Sequence, residues 1–254
     1  MKTCLITGAS SGIGKETAYV FAKNGYNLIL AARRIENLNS IKIEILQKYN
    51  CEVDVINIDL SKQNSAEELY NKVLNLRNQP DVLINNAGFG VGGYFLETDL
   101  KKEEDMLILN MVTLTKLTKF FIKDMIKKNN GHIINIASTA AFQPIPLMAC
   151  YAATKAYVKS FSEAIAFELK DTGIKVTSIC PGATSSEFSK VANVEKSNLF
   201  KNVPSSEELA NFIYNSMMRN KTTAIHGFKN KFLAASSKFM PKKLVASITM
   251  KMVK

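Results

Sequence analysis

A single α/β domain with a doubly wound, mostly parallel sheet is the fold class that this 254-residue sequence predicts. Six short apolar segments alternate with segments whose apolar residues recur at helical spacing, as in parallel strands joined by helical crossovers. No linker, internal repeat or break in composition interrupts the alternation. We therefore expect one domain over residues 1–228, followed by a short helical C-terminal extension over residues 229–254.

The individual elements follow from the same pattern. The predicted strands are short apolar runs, as buried parallel strands are, and they cover residues 2–8, 26–33, 51–60, 81–88, 131–138 and 174–182. The predicted helices are amphipathic and cover residues 12–25, 35–50, 64–78, 99–128 and 150–171. In such a sheet, ligands bind beyond the carboxyl ends of the strands, so the residues after each strand are the candidates for a site.

The four cysteines and two histidines are scattered along the chain. They are Cys4, Cys51, Cys150, Cys180, His132 and His226. Because they form no C-x-x-C pair and no cluster with metal-ligand spacing, we expect no metal site and interpret the cysteines as reduced core residues. The chain has no apolar run of about 18 residues and no signal peptide at its N-terminus, so we expect a cytoplasmic protein.

Positive charge accumulates towards the C-terminus. The formal net charge is +11, and Arg219 and eight lysines follow Glu208, the last acidic residue. We interpret this region mainly as a solvated basic face, with attraction to an anionic surface as the alternative. Residues 228–254 have the pattern of two amphipathic helices broken at Pro241. We expect them to cover a site or form an oligomer interface, and we rank peripheral membrane contact second.

A glycine-rich turn lies between the first predicted strand and the first predicted helix. Its G-x-x-x-G-x-G spacing points backbone N–H groups and the positive end of a helix at an anion. A purely structural turn is the alternative. The position in an alternating α/β chain favours a dinucleotide pyrophosphate and hence a Rossmann-type domain. The predicted contacts are Gly8, Ser10, Ser11, Gly12, Ile13 and Gly14.

The residues after the second strand discriminate between the two nicotinamide cofactors. An acid there binds the ribose 2′-hydroxyl of NAD, whereas an arginine accommodates the 2′-phosphate of NADP. The sequence has Arg33 and Arg34 at this place, and Glu36 comes only inside the following helix. Because two guanidinium groups match a phosphate in charge and geometry, we predict NADP(H) rather than NAD(H). The alternative is that both arginines are merely solvent-exposed.

Further short motifs follow the glycine turn in a fixed order. The complete set is TGASSGIG (7–14), DL (59–60), NNAG (85–88), Asn110, Ser138, YAATK (151–155) and PG (181–182). With these motifs the sequence resembles the short-chain dehydrogenase/reductase family, of the single-domain type, from residue 3 to roughly residue 190. The resemblance implies hydride transfer between a nicotinamide and a carbonyl or alcohol carbon.

The resemblance assigns the chemistry to four residues. Tyr151 is implied to protonate the carbonyl oxygen during reduction, and Ser138 to hydrogen-bond that oxygen. Lys155 is expected to lower the pKa of Tyr151, which is about 10 in a free phenol, and to bind the nicotinamide ribose. Asn110 is implied to hold a water or backbone group in a proton relay. Taken alone, Tyr151 and Lys155 have a simpler explanation, because residues four apart share a face of any helix.

The remaining motif residues are implied to contact the cofactor. Asp59 is expected to bind the adenine amino group, with Leu60 beside it, while Asn85, Ala87 and Gly88 let the backbone approach the adenine ribose. Taken singly, Asp59 is explained equally well as a helix cap, and Asn85 as part of a turn. The residues expected to face the nicotinamide are Pro181, Gly182, Thr184 and Ser186. The family commonly has threonine where Ser186 stands, and the hydroxyl is retained.

The sequence thus predicts an NADP(H)-dependent oxidoreductase that reduces an aldehyde, ketone or 3-oxoacyl carbonyl. Apolar residues in segments 89–95 and 139–148, together with the stretch 183–205, are expected to line a pocket for a small hydrophobic substrate. The alternative is a non-catalytic NADP(H)-binding regulator on the same fold. Family members commonly form homodimers or homotetramers, so we expect a homo-oligomer. We expect no nucleic-acid partner, because no recognition motif accompanies the basic residues.

Overall fold

A seven-stranded parallel sheet forms the centre of the structure, a computed structural model that describes residues 1–195, 197–237 and 239–254. In chain order the strands are β1 (Thr3–Thr7), β2 (Asn27–Ala32), β3 (Val53–Asn57), β4 (Val82–Asn85), β5 (Gly131–Ile136), β6 (Ile174–Cys180) and β7 (Thr223–Ile225). Across the sheet their order is β3-β2-β1-β4-β5-β6-β7. The predicted doubly wound α/β fold is confirmed by this topology.

Helices cover both faces of the sheet. They are α1 (Gly12–Lys23), α2 (Ile35–Lys48), α3 (Ser65–Leu74), α4 (Leu100–Leu107), α5 (Leu114–Lys128), α6 (Ala149–Glu168), α7 (Phe188–Val191), α8 (Ser206–Met218), α9 (Phe228–Ser236) and α10 (Lys242–Val253). Helices α1, α2 and α8 pack on one face, and α3 and α5 pack on the other. A π-helical turn, Ile108–Thr113, joins α4 to α5 within the helical stretch predicted over residues 99–128.

The central strands are buried on both faces, which explains their nearly continuous apolar sequences. In β1, Cys4 and Ile6 pack into the layer that contains α1, while Leu5 packs into the opposite layer. In β2, Leu28 likewise packs into the layer that contains α1, and Ile29 packs into the opposite layer. Successive side chains of a strand point to opposite faces, so one strand contributes to two apolar layers. These layers hold the ends of the strands, and the loops that follow them, in fixed positions.

Three elements, β7, α8 and the short helix α7, were not predicted from the sequence. Helix α8 begins after Ser205, whose hydroxyl oxygen accepts a hydrogen bond from the backbone N–H of Glu208 at 3.1 Å. Such a serine cap is an ordinary start signal that the sequence analysis overlooked. Strand β7 has only three residues and pairs with β6. A run this short shows no periodicity, and only its pairing with β6 makes it a strand.

The carboxyl ends of β1 and β4 form the switch point of the sheet, because the chain builds outward to β3 on one side and to β7 on the other. Thr7 Oγ1 accepts hydrogen bonds from the backbone N–H groups of Asn86 and Ala87, each at 3.0 Å. Asn86 Nδ2 in turn donates to the Thr7 carbonyl at 2.8 Å. These bonds hold together the two strand ends between which a ligand binds in this class of fold.

The C-terminal segment folds back over this edge as α9 and α10, which are separated at Pro241 as predicted. Ser237 Oγ donates to the Phe142 carbonyl at 3.3 Å, and Thr249 Oγ1 donates to the Pro144 carbonyl at 3.0 Å. Both helices are therefore attached to the loop that follows β5. Among the described residues, no helix combines the length and the hydropathy that crossing a bilayer requires.

Candidate active site

A cleft of about 940 Å³ opens at the carboxyl edge of the sheet, a size typical of a ligand-binding pocket. It runs from the turn between β1 and α1, past the ends of β4 and β5, to the inner sides of α9 and α10. All predicted site residues line it except Asn85 and Asn110. The predicted residues in the lining are Gly8, Ser10, Ser11, Gly12, Ile13, Gly14, Arg33, Arg34, Asp59, Leu60, Ala87, Gly88, Ser138, Tyr151, Lys155, Pro181, Gly182, Thr184 and Ser186.

The turn between β1 and α1 has a backbone that requires glycine. Gly8 and Gly12 have φ values of 66° and 51°, in the left-handed region. A Cβ on Gly14 would lie 2.3 Å from the carbonyl oxygen of Gly8, so α1 starts in direct contact with the end of β1. The side chain of Ser11, the N-cap residue, makes no capping bond to α1. The first N–H groups of this helix are thus placed to bind a pyrophosphate, and the turn fits a dinucleotide cofactor.

An ion pair that was not expected from the sequence spans the mouth of this turn. Arg34 binds both carboxylate oxygens of Glu187, with Nη2–Oε2 at 2.7 Å and Nη1–Oε1 at 3.1 Å. Ser11 Oγ donates to Glu187 Oε2 at 2.8 Å and accepts from Arg34 Nη2 at 2.7 Å. The hydrogen bonds from Arg34 and Ser11 lower the pKa of Glu187 to about 2. No sequence signal connects the ion-pair partners, which are 153 residues apart.

Arg33 and Asp59 lie on the same rim of the cleft. Arg33 is exposed, and its backbone carbonyl accepts a hydrogen bond from Asn57 Nδ2 at 2.6 Å. Asp59 Oδ1 accepts hydrogen bonds from the backbone N–H of Ser61 at 3.1 Å and from its hydroxyl at 2.7 Å. Burial alone would raise the pKa of Asp59, but the bonds from Ser61 and the charge of Arg33 outweigh it and lower that pKa. Asp59 therefore closes a local turn and also lines the cleft.

Ser138, Tyr151 and Lys155 converge at the other end of the cleft. Ser138 follows β5, whereas Tyr151 and Lys155 lie on consecutive turns at the start of α6. Ser138 Oγ donates to the Pro181 carbonyl at 3.4 Å and is close enough to the Tyr151 hydroxyl to influence its pKa. Lys155 Nζ lies 5.7 Å from the centroid of the Tyr151 ring and donates to the Ile136 carbonyl at 2.7 Å. The structure thus brings together three of the four residues to which the resemblance assigns the chemistry, and places their polar atoms in the lining of one cavity.

Burial shifts the pKa values of Tyr151 and Lys155 in opposite directions. It raises the pKa of Tyr151 to about 12 and lowers that of Lys155 to about 8. Burial dominates here, so the pKa of Tyr151 is raised overall, and the lowering of that pKa by Lys155 stays a prediction. The phenol is enclosed by apolar groups such as the Phe188 ring, whose centroid is 5.1 Å away, while the ammonium is directed at the Ile136 carbonyl. The polar side chain of Ser138 opposes the rise in this pKa without cancelling it.

Asn110 lies behind the cleft, within the π-helical turn between α4 and α5. Its Oδ1 accepts from the backbone N–H of Phe89 at 3.3 Å, and its Nδ2 donates to the Phe89 carbonyl at 3.0 Å and to Thr154 Oγ1 at 3.1 Å. A Cβ on Gly88 would lie 2.9 Å from Asn110 Oδ1 and 3.6 Å from Lys155 Nζ. Asn110 therefore holds the backbone of the loop after β4, while the proton relay that the resemblance implied for it stays a prediction.

Asn85 was predicted to let the backbone approach the cofactor, but it does not line the cleft. Its side chain is instead buried in the core. Its Nδ2 donates to Thr118 Oγ1 at 3.0 Å and to Asn135 Oδ1 at 2.8 Å, which links β4 to α5 and β5. Asn86 is the asparagine that lines the cleft. Neighbouring residues at a strand end point in opposite directions, and this alternation within NNAG was the signal that would have identified Asn86.

The loop after β6 folds back onto the glycine turn. Ser186 Cβ lies 3.0 Å from the position that a Cβ on Gly12 would occupy. Thr184 Oγ1 donates to the Gly182 carbonyl at 3.1 Å, which closes the loop on itself. A Cβ on Gly182 would lie 2.5 Å from Asn230 Nδ2, so α9 sits directly on this loop. The sequence led us to expect that the C-terminal helices cover a site, but it did not indicate which loop they would contact.

The cysteines and histidines form no metal site in the part of the chain that the structure describes, where no group of three or more metal-binding side chains occurs. Cys4 and Cys180 are buried free thiols, whereas Cys51 and Cys150 are only half-buried. The interpretation of all four cysteines as core residues was therefore correct for two of them. The buried His226 pairs with Glu208 on α8, with Nε2–Oε1 at 3.2 Å.

Comparison with known proteins adds the decisive observation. A family model described as short chain dehydrogenase matches residues 2–197, which include the glycine turn, the Ser–Tyr–Lys group and the loop after β6. The chain belongs to the short-chain dehydrogenase/reductase family. The matched region holds every residue to which the family resemblance assigns a role.

Curated relatives of this short-chain dehydrogenase/reductase include two proteins named very-long-chain 3-oxoacyl-CoA reductase. The protein from Vanderwaltozyma polyspora is 35% identical over 199 residues, which are 74% of this chain and 57% of the relative. The protein from Mus musculus is 34% identical over 207 residues, which are 80% of this chain and 64% of the relative. The chain thus spans about three fifths of the length of these relatives.

A solved structure with a similar fold is the short-chain dehydrogenase from Sphingobium yanoikuyae in complex with NADPH. Its TM-score is 0.85 at 28% sequence identity, and the match covers 94% of each chain. The coverage extends beyond the residues of the family model, so the likeness includes much of the C-terminal region of this short-chain dehydrogenase/reductase.

Proposed function

We propose that this short-chain dehydrogenase/reductase uses NADPH to reduce a hydrophobic aldehyde, ketone or 3-oxoacyl compound to the alcohol. The observation that carries the proposal is the convergence of Ser138, Tyr151 and Lys155 at one end of a cleft whose other end holds the glycine turn and Arg34. One continuous cavity joins the two groups of residues, as a reaction between a dinucleotide and a second molecule requires.

The groups that would hold NADP(H) belong to the glycine turn and the rim of the cleft. The first N–H groups of α1 and the Ser10 hydroxyl would bind the pyrophosphate, and Arg33 and Arg34 would bind the 2′-phosphate. When bound, NADP(H) supplies or accepts the hydride. The preference for NADP rests on the two guanidinium groups and is supported by the NADPH bound to the similar protein from Sphingobium yanoikuyae. Arg34 would then exchange the carboxylate of Glu187 for a phosphate.

Tyr151 is proposed to deliver the proton. Because burial raises its pKa to about 12, the phenol carries its proton at neutral pH and acts as an acid in the reduction. Ser138 and Tyr151 would both donate hydrogen bonds to the carbonyl oxygen of the substrate, where negative charge develops. Transfer of the Tyr151 proton leaves a phenolate, which the Lys155 ammonium stabilises while the pH stays below its pKa of about 8. Asn110 keeps the loop beside Lys155 in place.

The substrate end of the cleft favours an apolar molecule. Its apolar lining includes Phe89, Ile145, Met148, Phe188, Leu199, Phe200 and Met252. Two exposed cations, Lys201 and Lys229, also belong to the lining. An acyl chain would fill the apolar part, and the phosphates of a thioester carrier would meet the cations. Among the three carbonyl classes, 3-oxoacyl thioesters fit best, and the names of the two curated relatives support this choice.

The test is the oxidation of NADPH in the presence of a panel of aldehydes, ketones, steroids and 3-oxoacyl thioesters, followed by absorbance, with NADH in parallel. We expect turnover with NADPH, highest for the 3-oxoacyl thioesters. Absence of turnover across the panel, with NADPH binding retained, would overturn the reductase and favour the non-catalytic regulator. Faster turnover with NADH would overturn the cofactor assignment alone.

The cofactor assignment has a separate test in Arg33→Glu. Reversal of this charge is expected to raise the KM for NADPH at least tenfold, or about 1.4 kcal/mol, and to leave that for NADH nearly unchanged. Arg77→Glu is the matched control, because Arg77 has an 87% exposed side chain and does not line the cleft. Equal effects of Arg33→Glu on both cofactors would contradict the assignment.

A further inference from the structure

The outward side of the C-terminal helices is both apolar and basic, and the proposed reaction does not use it. We name it the tail surface. It comprises Phe232, Phe239, Leu244, Ile248, Lys231, Lys242, Lys243 and Lys251, all of which are exposed. The side chains of Phe239 and Phe232 are 90% and 67% exposed, which is unusual for phenylalanine. These residues therefore offer a large apolar area to whatever lies outside the protein.

The spacing of residues gives each C-terminal helix two different sides. In α9, Phe232 is exposed and does not line the cleft, whereas Ala234 is buried and lines it. In α10, Leu244 and Ile248 repeat this arrangement, with Val245, Thr249 and Val253 buried on the other side. The inner sides cover the cleft, as expected from the sequence. The outer sides form a second apolar stripe, which packing within this chain does not explain.

The charges of the tail surface identify the kind of partner that fits it. No acidic residue follows Glu208 in the sequence, and within the described residues no lysine of the tail surface belongs to an ion pair. Two copies joined through this surface would bring like charges together. A nucleic acid would satisfy the lysines but leave Leu244 and Ile248, which cannot stack on bases, in water. An anionic bilayer satisfies both groups.

We propose that the tail surface binds an anionic phospholipid bilayer as a peripheral contact. Phe232, Phe239, Leu244 and Ile248 enter the boundary between headgroups and acyl chains, and the lysines bind lipid phosphates. The inner sides of the same helices line the cleft, so its mouth lies next to the bilayer when the protein is bound. A route for apolar substrate from the bilayer rests on the proposed function, whereas bilayer binding itself does not.

The test is co-sedimentation of the full chain with vesicles of phosphatidylcholine, either alone or mixed with phosphatidylserine, at low and high salt. We expect binding to the mixed vesicles only, and its loss at high salt. Lys231→Gln with Lys243→Gln should weaken binding roughly 25-fold, because each lysine near an anionic surface contributes about a factor of five. Phe232→Ser with Phe239→Ser should weaken it by at least about tenfold.

The matched control is Phe167→Ser with Lys170→Gln. Phe167 is 70% exposed and Lys170 Nζ lies 4.6 Å from its ring centroid, so this pair has the same chemistry as the tail surface. It lies at the far end of α6, about 30 Å from the start of that helix. We expect the control to bind vesicles like the unmodified chain. Melting curves and NADPH titration verify that each variant is folded.

Three outcomes would overturn the proposal. The first is no sedimentation with phosphatidylserine vesicles at low salt, a result that needs no variant. The second is an equal loss of binding in the control and the tail-surface variants. The third is a change in oligomer mass, measured by light scattering, in tail-surface variants that still bind vesicles normally, which would make the surface a contact between copies of the chain. None of these results depends on turnover.

Discussion

Tyr151 and Lys155 are buried side by side, and burial favours the neutral form of each. The tyrosine therefore keeps its proton at neutral pH, while the lysine loses its proton more readily than a lysine in water. A protonated tyrosine suits a reduction, because the acid must hold its proton until the substrate oxygen becomes negative. The cation beside it then stabilises the phenolate. In the proposed reduction, these shifts let Tyr151 act as the acid and set a pH limit on the reaction.

Tyr151→Phe is expected to leave the fold intact and to lower kcat by a factor of roughly 10² to 10⁴, the usual contribution of a general acid. The phenylalanine ring would keep the contact with Phe188. Steady-state kinetics with NADPH measure the effect. Tyr157→Phe is the control. Tyr157 lies on the same helix, its hydroxyl forms a hydrogen bond with Thr115 Oγ1 at 2.8 Å, and it does not line the cleft. Near-normal turnover of Tyr151→Phe would refute the mechanism.

The reaction is expected to slow as the pH rises through about 8, the pKa of Lys155. Above this pH the ammonium loses its proton, and the cation that stabilises the phenolate is gone. A pH profile of kcat/KM for carbonyl reduction measures the decline. Lys155→Arg should be slower overall but should lose activity only at higher pH, because a guanidinium stays protonated. A profile of the unmodified enzyme that is flat well above pH 8 would argue against this role of Lys155.

Glu187→Gln is expected to tighten NADPH binding about fivefold. The change removes a carboxylate that occupies Arg34 and Ser11, and a half-exposed ion pair of this kind contributes up to about 1 kcal/mol. Titration by the fluorescence of NADPH measures the dissociation constant. Glu195→Gln provides the control, because Glu195 is an exposed acid of the same loop region. If Glu187→Gln weakened binding instead, the carboxylate would act by orienting Arg34 for the cofactor.

The turn between β1 and α1 and the π-helical turn between α4 and α5 each place one part of the site. The first brings the N-terminus of α1 against β1 at a distance that only glycine permits. The second presents Asn110 to the loop after β4. A π-helical turn inside an α-helix often marks a functional position, because it redirects a side chain at the expense of regular hydrogen bonds. Both turns depend on exact backbone contacts and should tolerate little change.

Gly14→Ala is expected to abolish cofactor binding and to lower the free energy of unfolding by at least about 3 kcal/mol, because its Cβ would meet the backbone of Gly8. Denaturant unfolding and NADPH titration measure the two effects. Gly25→Ala is the control: Gly25 has a φ of 78° but no atom within 4 Å of an added Cβ. The Gly25→Ala substitution should lower the free energy of unfolding by only about 1–2 kcal/mol, and the variant should bind the cofactor normally. Equal behaviour of the two variants would contradict the assigned role of Gly14.

The sheet and the C-terminal helices together create the cleft. The switch point between β1 and β4 leaves a crevice, and α9 and α10 cover it from above. The homodimer or homotetramer expected from the family stays a prediction, as do the cytoplasmic location and the lack of a nucleic-acid partner. Light scattering should give two or four times the mass of one chain, and a monomer mass at all concentrations would contradict the expectation.

Local sequence patterns predicted six strands, most of the helices and the glycine turn correctly. Periodicity and glycine geometry depend on neighbouring residues, so they can be read from the chain directly. The family motifs then indicated which residues line the cleft, and the structure places all but Asn85 and Asn110 there. The error at Asn85 arose because a motif names residues in order but does not state which of two neighbours faces the ligand.

The sequence alone was sufficient for the fold class, the family resemblance and the choice of Ser138, Tyr151 and Lys155, because these follow from residue types at short spacings. It did not reveal the ion pair of Arg34 with Glu187, the raised pKa of Tyr151 or the outward apolar side of the C-terminal helices. Each of these depends on distances between segments far apart in the chain and on the burial that packing creates. Long-range contacts and desolvation are properties of the folded structure, and no local pattern encodes them.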